Sequence, residues 1–194
     1  CGDPLEYQGY DYETVQIGEQ CWFAENLRSE NYRNGDAIPS NLSDYGWENT
    51  TSGATAVYGE NTSNLETYGR LYNWYAVADP RSLCPGGWQV PTDEKWMTLE
   101  VALGMSQADV YNTSWRGTDQ GSQMKTDYGW YNGGNGTNSS GFSGLPGGYR
   151  RYSGYFDVGG YQGYLWSSSP DGSFARLLAL NYDLENVLPG SSLR

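Results

Sequence analysis

The sequence contains no histidine and only three cysteines, Cys1, Cys21 and Cys84. A His-based catalytic triad is therefore excluded, and the cysteines lack the paired spacing of a zinc site. Three thiols allow one disulfide and one free thiol, and spacing alone does not decide the pairing. Cys1 is open to three interpretations: a disulfide partner for Cys21, the processed N-terminus of a lipoprotein, or simply the point where this chain starts.

Basic residues are scarce as well, with 11 Lys and Arg against 23 Asp and Glu, which gives a net charge of −12. Nucleic-acid binding is therefore disfavoured, because phosphate contacts need a basic face. The imbalance lies in residues 1–150, where 19 acids against eight bases give −11. Solubility explains such an acidic surface. No motif indicates a metal site, so we predict neither a metal nor a cofactor.

Long apolar runs are also missing. No stretch approaches the ~20 apolar residues that span a bilayer, and no signal peptide is recognisable, so we expect no transmembrane segment. An acidic chain rich in Tyr, Trp, Asn and Gly is typical of an extracytoplasmic protein, in which a disulfide persists. We therefore expect an extracellular, cell-surface or virion-surface location.

Aromatic residues and glycine are abundant, with 8 Trp, 18 Tyr and 4 Phe beside 27 Gly in 194 residues. Each aromatic side chain buries a large area, which offsets the modest hydrophobic content of 37%. The length suits a single domain, and the scarcity of helix-forming runs indicates strands and ordered loops.

Two early segments predict local elements. Residues 10–24 read as strand–turn–strand with the turn at Gly18 and Glu19. Residues 68–78 place apolar side chains at helical spacing and predict a short buried helix.

The clearest helix signal lies between Cys84 and Gly104. Residues 88–90 suggest a brief strand that Pro91 ends, and Thr92 is a suitable N-cap for the helix that follows. Two acids occupy the first turn, where the helix dipole favours them, and Gly104 ends the run. Because Trp96, Leu99 and Leu103 share one face, we expect this helix to anchor the core.

The last 44 residues, 151–194, are called the C-terminal segment here, and they draw on a different set of amino acids. Residues 1–150 contain 29 Lys, Glu, Gln, Met or Trp, whereas the C-terminal segment contains three, Gln162, Trp166 and Glu185. The earlier frequency would give about eight or nine. Tyr, Ser, Gly and Asn dominate instead, and binding loops favour these residues. We expect strands near Phe156 and over residues 164–168, 174–180 and 191–194.

Four strings in order carry a resemblance: residues 10–28, 68–77, 84–96, and 141–150 with the later LWSSS at 165–169. Together they resemble the Fibrobacter succinogenes major paralogous domain, found in surface or secreted proteins of bacteria, archaea and their viruses. The resemblance implies one α+β domain over residues 1–194 with a C-type-lectin-like fold. Such a fold has two helices flanking a small twisted antiparallel sheet, with long irregular loops. Residues 145–150 and 192–194 would be core strands.

The resemblance also implies a binding module. Some C-type-lectin-like proteins are diversified by retroelements that randomise adenines, and the resulting codons never encode Lys, Glu, Gln, Met or Trp. That matches the deficit in the C-terminal segment, so we expect a variable surface there that binds an external protein or a surface glycan. Gly154, Gly159, Gly163, Trp166 and Ser167–Ser169 would form the fixed frame. The predicted ligand-binding residues are Tyr152, Tyr155, Asp157, Val158, Tyr161, Tyr164, Asp171, Phe174, Arg176, Leu178, Leu180 and Tyr182.

A structural interpretation competes at some of these positions. Phe156, Phe174, Leu178 and Leu180 would also suit the inward faces of strands, whereas Tyr152, which lies among Gly and Ser, is expected to be exposed. The same holds for Tyr161 and Asp171.

Other functions are less well supported by the residues. The strings with which lectins hold calcium are absent, and Trp166 is followed by Ser167. An oxidase of the formylglycine-generating type needs two C-terminal cysteines, but none follows Cys84. The family's usual cysteine after the final Arg, a partner for Cys84, is missing too. No carboxylate pair or phosphate-binding loop marks another enzyme. We therefore predict a non-enzymatic binding protein, with an undiversified adhesion or carbohydrate-binding module as the alternative.

Overall fold

The computed structural model describes residues 1–193, and their fold is a mixed α/β arrangement with few helices and several small antiparallel sheets. The helices are α1 (Asp44–Asn49), α2 (Ser63–Tyr68), α3 (Trp74–Val77), α4 (Asp93–Ala102) and α5 (Gln120–Met124). The strands are β1 (Leu5–Tyr7), β2 (Tyr10–Tyr12), β3 (Thr14–Ile17), β4 (Gln20–Phe23), β5 (Thr55–Ala56), β6 (Leu71–Tyr72), β7 (Tyr149–Arg150), β8 (Phe156–Asp157), β9 (Gln162–Asp171), β10 (Phe174–Asn181) and β11 (Leu188–Leu193).

The N-terminal part consists of two hairpins, β1–β2 and β3–β4. The second confirms the predicted strand–turn–strand, with Gly18 at the turn in the left-handed region at φ 59°. A disulfide joins Cys1 to Cys21, with their Cα atoms 5.7 Å apart. Cys84 is a free, buried thiol, and burial raises its pKa to about 11. In the folded chain, Cys1 is therefore the disulfide partner of Cys21.

Helix α4 has the predicted boundaries. The Thr92 side chain accepts a hydrogen bond from the Lys95 amide, and Gly104 follows the helix at φ 97°. Trp96 and Leu99 are buried and Leu103 is half-buried, so this face packs into the core as expected.

The strand predicted at residues 88–90 is wrong, because this stretch has no ladder partner among the described strands. Side chains hold it instead. Trp88 stacks on Phe23 with ring centroids 4.6 Å apart, and the Ser168 hydroxyl donates to the Val90 carbonyl at 3.0 Å.

The single helix predicted over residues 68–78 is also wrong. Tyr68 is the last residue of α2, which Gly69 ends at φ 68°; residues 71–72 pair with β5, and a second helix covers only Trp74–Val77. A Cβ at Gly69 would lie 2.9 Å from the Leu27 carbonyl oxygen, so this close approach requires glycine. Asn73 starts α3 by accepting a hydrogen bond from the Ala76 amide.

The C-terminal sheet has the strand order β11-β10-β9, all antiparallel. Strands were predicted in these regions, and the structure confirms them through Leu193, whereas Arg194 lies outside the described residues. One face of β10 presents Leu178 and Leu180 to the main core. The other face presents Leu177 and Ala179, which pair with Trp166 and Tyr164 of β9. The members of the main core cluster are Ile17, Trp22, Trp96, Leu99, Met105, Val110, Met124, Trp130, Phe142, Leu178, Leu180 and Val187.

A buried ion pair links Glu100 of α4 to Arg116, which lies in the segment between α4 and α5. Arg116 Nη2 lies 2.6 Å from Glu100 Oε2, and Arg116 Nη1 donates to the Val110 carbonyl at 2.5 Å. Both side chains are almost fully buried. Burial raises the pKa of Glu100 to about 7, although the Arg116 guanidinium acts in the opposite direction. The pair therefore joins two loops to the helix at a high desolvation cost.

Candidate ligand-binding surface

The first group of predicted residues lies on the loop of residues 151–155, between β7 and β8, and at the end of β8. Tyr152 is 69% exposed, as expected, and Tyr155 is 65% exposed. Asp157 forms a salt bridge with Arg151, and hydrogen bonding to that guanidinium lowers the pKa of the carboxyl. Val158 adopts φ 50°, which is unusual for a β-branched residue, and so this turn is locally strained.

Arg150 anchors this loop from below. Its guanidinium lies over the rings of Trp47 and Phe156, at 4.5 and 4.8 Å from their centroids. Its Nε donates to the Gly154 carbonyl at 2.7 Å, and its terminal nitrogens bind Glu60 and the Leu42 carbonyl. The loop that carries Tyr152 and Tyr155 is therefore tied to a buried cation.

The glycines expected to form a fixed frame are crowded by neighbouring groups. A Cβ on Gly154 would lie 2.3 Å from Asp44 Cα, and one on Gly159 would lie 2.4 Å from the Tyr58 ring. A Cβ on Gly163 would approach the Leu145 carbonyl oxygen to 2.6 Å. Hence a larger residue requires backbone movement at Gly154 and Gly163, and displacement of the Tyr58 side chain at Gly159.

The remaining frame residues are engaged with the rest of the domain. Trp166 Nε1 donates to the Tyr72 carbonyl at 2.7 Å, and the Ser169 hydroxyl accepts from the Asp93 amide at 3.0 Å. Ser167 is fully buried. These contacts connect β9 to β6 and to the start of α4.

A second group is an aromatic cluster of Tyr131, Tyr161 and Tyr182, called the tyrosine cluster here. Tyr131 stacks on Tyr161 with centroids 4.3 Å apart, and Tyr182 lies 5.6 Å from each ring, almost perpendicular to both. Tyr131 is 50% and Tyr161 is 39% exposed. Burial in the cluster raises the pKa of the Tyr161 phenol. Tyr131 was not among the predicted residues, because it precedes the C-terminal segment by 20 positions.

Lys125 lies beneath this cluster and was missed as well. Its side chain is buried, and its ammonium donates to the carbonyls of Gly134, Asn181, Tyr182 and Leu184 at 2.9–3.4 Å. Burial lowers its pKa, while Glu185 and Asp183 act in the opposite direction. One cation therefore joins the loop after Trp130 to the loop after β10. A lone Lys in a Gly- and Asn-rich stretch gives no sequence signal for such a role.

The third group lies at the tip of the β9–β10 hairpin. Asp171 and Phe174 are exposed, and Phe174 keeps 43% of its surface accessible, so its inward placement is not observed. Arg176 forms a salt bridge with Asp93 at 2.6 Å and lies 3.9 Å from Asp171. Arg176 is therefore partly engaged with the N-terminus of α4.

Three predicted residues lie elsewhere. Leu178 and Leu180 are each only 1% exposed and face the main core, so they cannot contact an external ligand. The inward-facing interpretation is correct for both. Tyr164 is half-buried on the opposite face of the sheet and packs edge-on against Tyr149 at 4.9 Å.

That opposite face forms the floor of a cavity of about 1040 Å³. Tyr164, Trp166 and Leu177 contribute to the floor, and the stacked pair of Phe23 and Trp88 lines the facing wall. The volume is at the upper end of the range for ligand pockets. Most of the lining is apolar or aromatic, with charged residues such as Lys95 and Glu25 included.

Within residues 1–193, no three or more Cys, Asp or Glu side chains group closely enough to hold a metal ion. The helices of this described part are all too short to cross a bilayer.

Comparison with protein families matches residues 15–185 to the Fibrobacter succinogenes major domain. Neither the curated proteins nor the solved structures yield a match. The matched range includes α4, the tyrosine cluster and all of the predicted ligand-binding residues.

Proposed function

The chain belongs to the Fibrobacter succinogenes major domain family, and we propose that it is a ligand-binding protein of the receptor or adhesion type. In this proposal a C-type-lectin-like scaffold displays a variable C-terminal surface to an external protein or a surface glycan. The mixed architecture, with α4 packed beside the C-terminal sheet, supports that scaffold. The location would be extracellular, on a cell or on a virion, and no catalytic step is assigned.

The observation that carries the proposal is the division of the C-terminal segment into crowded and exposed positions. A side chain at Gly154, Gly159 or Gly163 would collide with the rest of the domain. Beside these glycines, Tyr152, Tyr155 and Tyr161 are exposed, and the backbone of the loop of residues 151–155 is held by Arg150. Exposed Tyr on a rigid backbone gives large contact area at low entropic cost, as in other binding loops.

A gene-level prediction tests the diversification. Under the proposal, the DNA near the gene contains a near-copy of the region that encodes residues 145–194. The copy differs mainly at adenines and lies beside a reverse-transcriptase gene. Sequencing the locus and finding no such copy would eliminate diversification but not ligand binding.

Stability measurements test the assignment of the surface. Tyr152→Ala should change the free energy of unfolding by no more than about 0.5 kcal/mol, because the side chain is exposed. Leu178→Ala, a control in the core, should cost about 2–5 kcal/mol. Urea denaturation measures both. A loss above about 2 kcal/mol for Tyr152→Ala would assign that residue a structural role and remove it from the surface.

The alternative is an undiversified adhesion or carbohydrate-binding module, and the cavity is the observation that favours it. The rings of Trp88 and Trp166 line the cavity and would stack on sugar rings without calcium. Titration with neutral oligosaccharides would then quench tryptophan fluorescence, and Trp88→Ala would abolish the response. No response to a broad glycan panel would eliminate this alternative.

A further inference from the structure

We propose that the tyrosine cluster is a binding site for a positively charged side chain, lysine or arginine, presented by a protein partner. The inference rests on the proposed function and specifies the chemistry of the partner at one part of the surface. Three observations carry it: the arrangement of the rings, their fixed position, and the net charge of the loops that carry them.

The rings leave aromatic surface available to a partner. Tyr182 lies equally far from Tyr131 and Tyr161, at 5.6 Å, so it packs beside the stacked pair and not on top of it. The stack itself hides only the two facing sides, consistent with the 50% and 39% exposure of Tyr131 and Tyr161. An aromatic face attracts a cation placed over it within about 6 Å of the centroid.

The cluster is held in position by its backbone. The Tyr182 amide donates to the Tyr161 carbonyl at 2.9 Å, and the Tyr131 amide donates to the Gly160 carbonyl at 2.8 Å. Gly134 packs so closely that a Cβ there would lie 2.0 Å from the Tyr182 carbonyl oxygen. Little conformational entropy is therefore lost when a partner binds.

The loops that carry the cluster have a net negative charge. The loops of residues 125–136, 158–163 and 181–187 carry Asp127, Asp183 and Glu185, all exposed. Their only base is Lys125, whose ammonium is buried and hydrogen-bonded to backbone carbonyls. A net negative charge on these loops favours a cationic partner over a neutral sugar, which would gain nothing from the carboxylates.

The test uses the full chain and two labelled peptides, tetra-arginine and its uncharged tetra-citrulline counterpart. Fluorescence anisotropy at fixed, moderate salt measures both affinities. We expect tetra-arginine to bind, tetra-citrulline to bind at least about tenfold more weakly, and Tyr161→Ala to weaken tetra-arginine by about tenfold. Tyr161→Phe should retain most of the affinity, because the ring remains.

Tyr111→Ala is the matched control, since Tyr111 is 68% exposed and lies outside the cluster. It should bind tetra-arginine like the unmodified chain, whereas Asp183→Asn with Glu185→Gln should weaken binding and reduce its salt dependence. Circular dichroism in the near ultraviolet checks that each variant is folded.

Equal affinity of Tyr161→Ala and the unmodified chain would overturn the inference, and so would equal binding of the two peptides. Loss of a neutral oligosaccharide on Tyr161→Ala, without any arginine preference, would overturn it in favour of a glycan. These results would leave the proposed function intact. The assignment of the exposed surface fails separately, if Tyr152→Ala and Tyr155→Ala each lose more than about 2 kcal/mol of stability in urea denaturation.

Discussion

Lys125 and Arg150 are two buried cations that bind the loops of the candidate surface through backbone carbonyl oxygens. Neither contributes a side chain to the exposed surface. Each makes it possible for a loop with few apolar residues to keep one conformation, because an unpaired buried carbonyl is costly. The order of this surface therefore depends on residues that a ligand does not touch.

The first prediction concerns Lys125. Lys125→Met removes the ammonium and leaves the partly buried carbonyls of Gly134 and Leu184 without this donor, so it should destabilise the protein by about 2–4 kcal/mol. Lys95→Met is the control, because Lys95 is exposed, and it should change stability by less than about 0.5 kcal/mol. Urea denaturation compares the two. Equal stability of both variants would show that the ammonium does not hold these loops.

The second prediction concerns the pair of Glu100 and Arg116. Arg116→Met leaves a buried carboxylate without its partner and should cost about 3–5 kcal/mol at pH 8. The pKa of Glu100 is raised in the folded state to about 7, so the folded chain binds this proton more tightly than the unfolded chain. The contribution of this group to stability is thus fully present below pH ~4.5 and is lost as the pH rises through about 7.

For Arg116→Met the pKa of Glu100 should rise further, since the opposing guanidinium is gone. The loss of stability should therefore be smaller at pH 5, where the carboxyl is protonated, than at pH 8. Glu100→Gln, a control without a titrating group, should remove the corresponding part of the pH dependence. Denaturation curves at the two pH values measure this. A loss for Arg116→Met that is the same at both would contradict the assignment.

At single positions, local features such as helix caps can be predicted from the sequence, whereas neighbours in space cannot. Thr92 could be identified as an N-cap because the cap, the acids and the helix are adjacent in the chain. Tyr131 could not be placed beside Tyr161, because a 30-residue separation carries no local signal. Leu178 and Leu180 show a further limit of sequence-based prediction, since amino-acid composition does not reveal which face of a strand a residue occupies.

Among the elements, the loop of residues 151–155 gives the third prediction. Gly154→Ala would place a Cβ 2.3 Å from Asp44 Cα and should cost more than about 2 kcal/mol. Gly160→Ala is the matched control: Gly160 has a similar φ, 82° against 91°, but open space around it. It should cost about 1 kcal/mol from backbone strain alone. Equal losses in urea denaturation would show that crowding does not fix the loop.

Elements bounded by clear turn and cap residues were predicted correctly, and elements whose bounds depend on tertiary contacts were not. The β3–β4 hairpin and α4 have turn, cap and terminator residues in the correct places. Residues 68–78 have helical spacing, but the close approach of Gly69 to Leu27 divides the stretch. Residues 88–90 are of strand-forming types, but aromatic stacking and a hydrogen bond from a side chain hold them in place of the expected strand pairing.

For the whole molecule, the Cys1–Cys21 disulfide gives the fourth prediction. It closes a loop with a sequence separation of 20 residues, and chain entropy predicts a contribution of about 3 kcal/mol. Adding a reductant should therefore lower the unfolding midpoint in urea. In Cys1→Ser with Cys21→Ser, the reductant should have no effect, because Cys84 is a free thiol. An unchanged midpoint for the unmodified chain would contradict the prediction.

The family and the broad fold class could be inferred from the sequence over nearly the whole chain, because four ordered strings carry the resemblance. The large cavity could not, since it lies between the β3–β4 hairpin and a sheet that is more than 130 residues away in the chain. Composition reports that Trp and Tyr are abundant, but only the fold shows which of them line an open space.

The contacts of Lys125 have one more consequence. The ammonium binds main-chain oxygens of residues 181, 182 and 184, and every amino acid carries that oxygen. The hydrogen bonds from Lys125 therefore do not depend on which side chains occupy these three positions. A mutation there alters what the surface presents while the attachment of the loop stays the same. The loop can thus accumulate substitutions without a matching change elsewhere in the domain. Its sequence can evolve while the contacts that fold it against the domain stay the same.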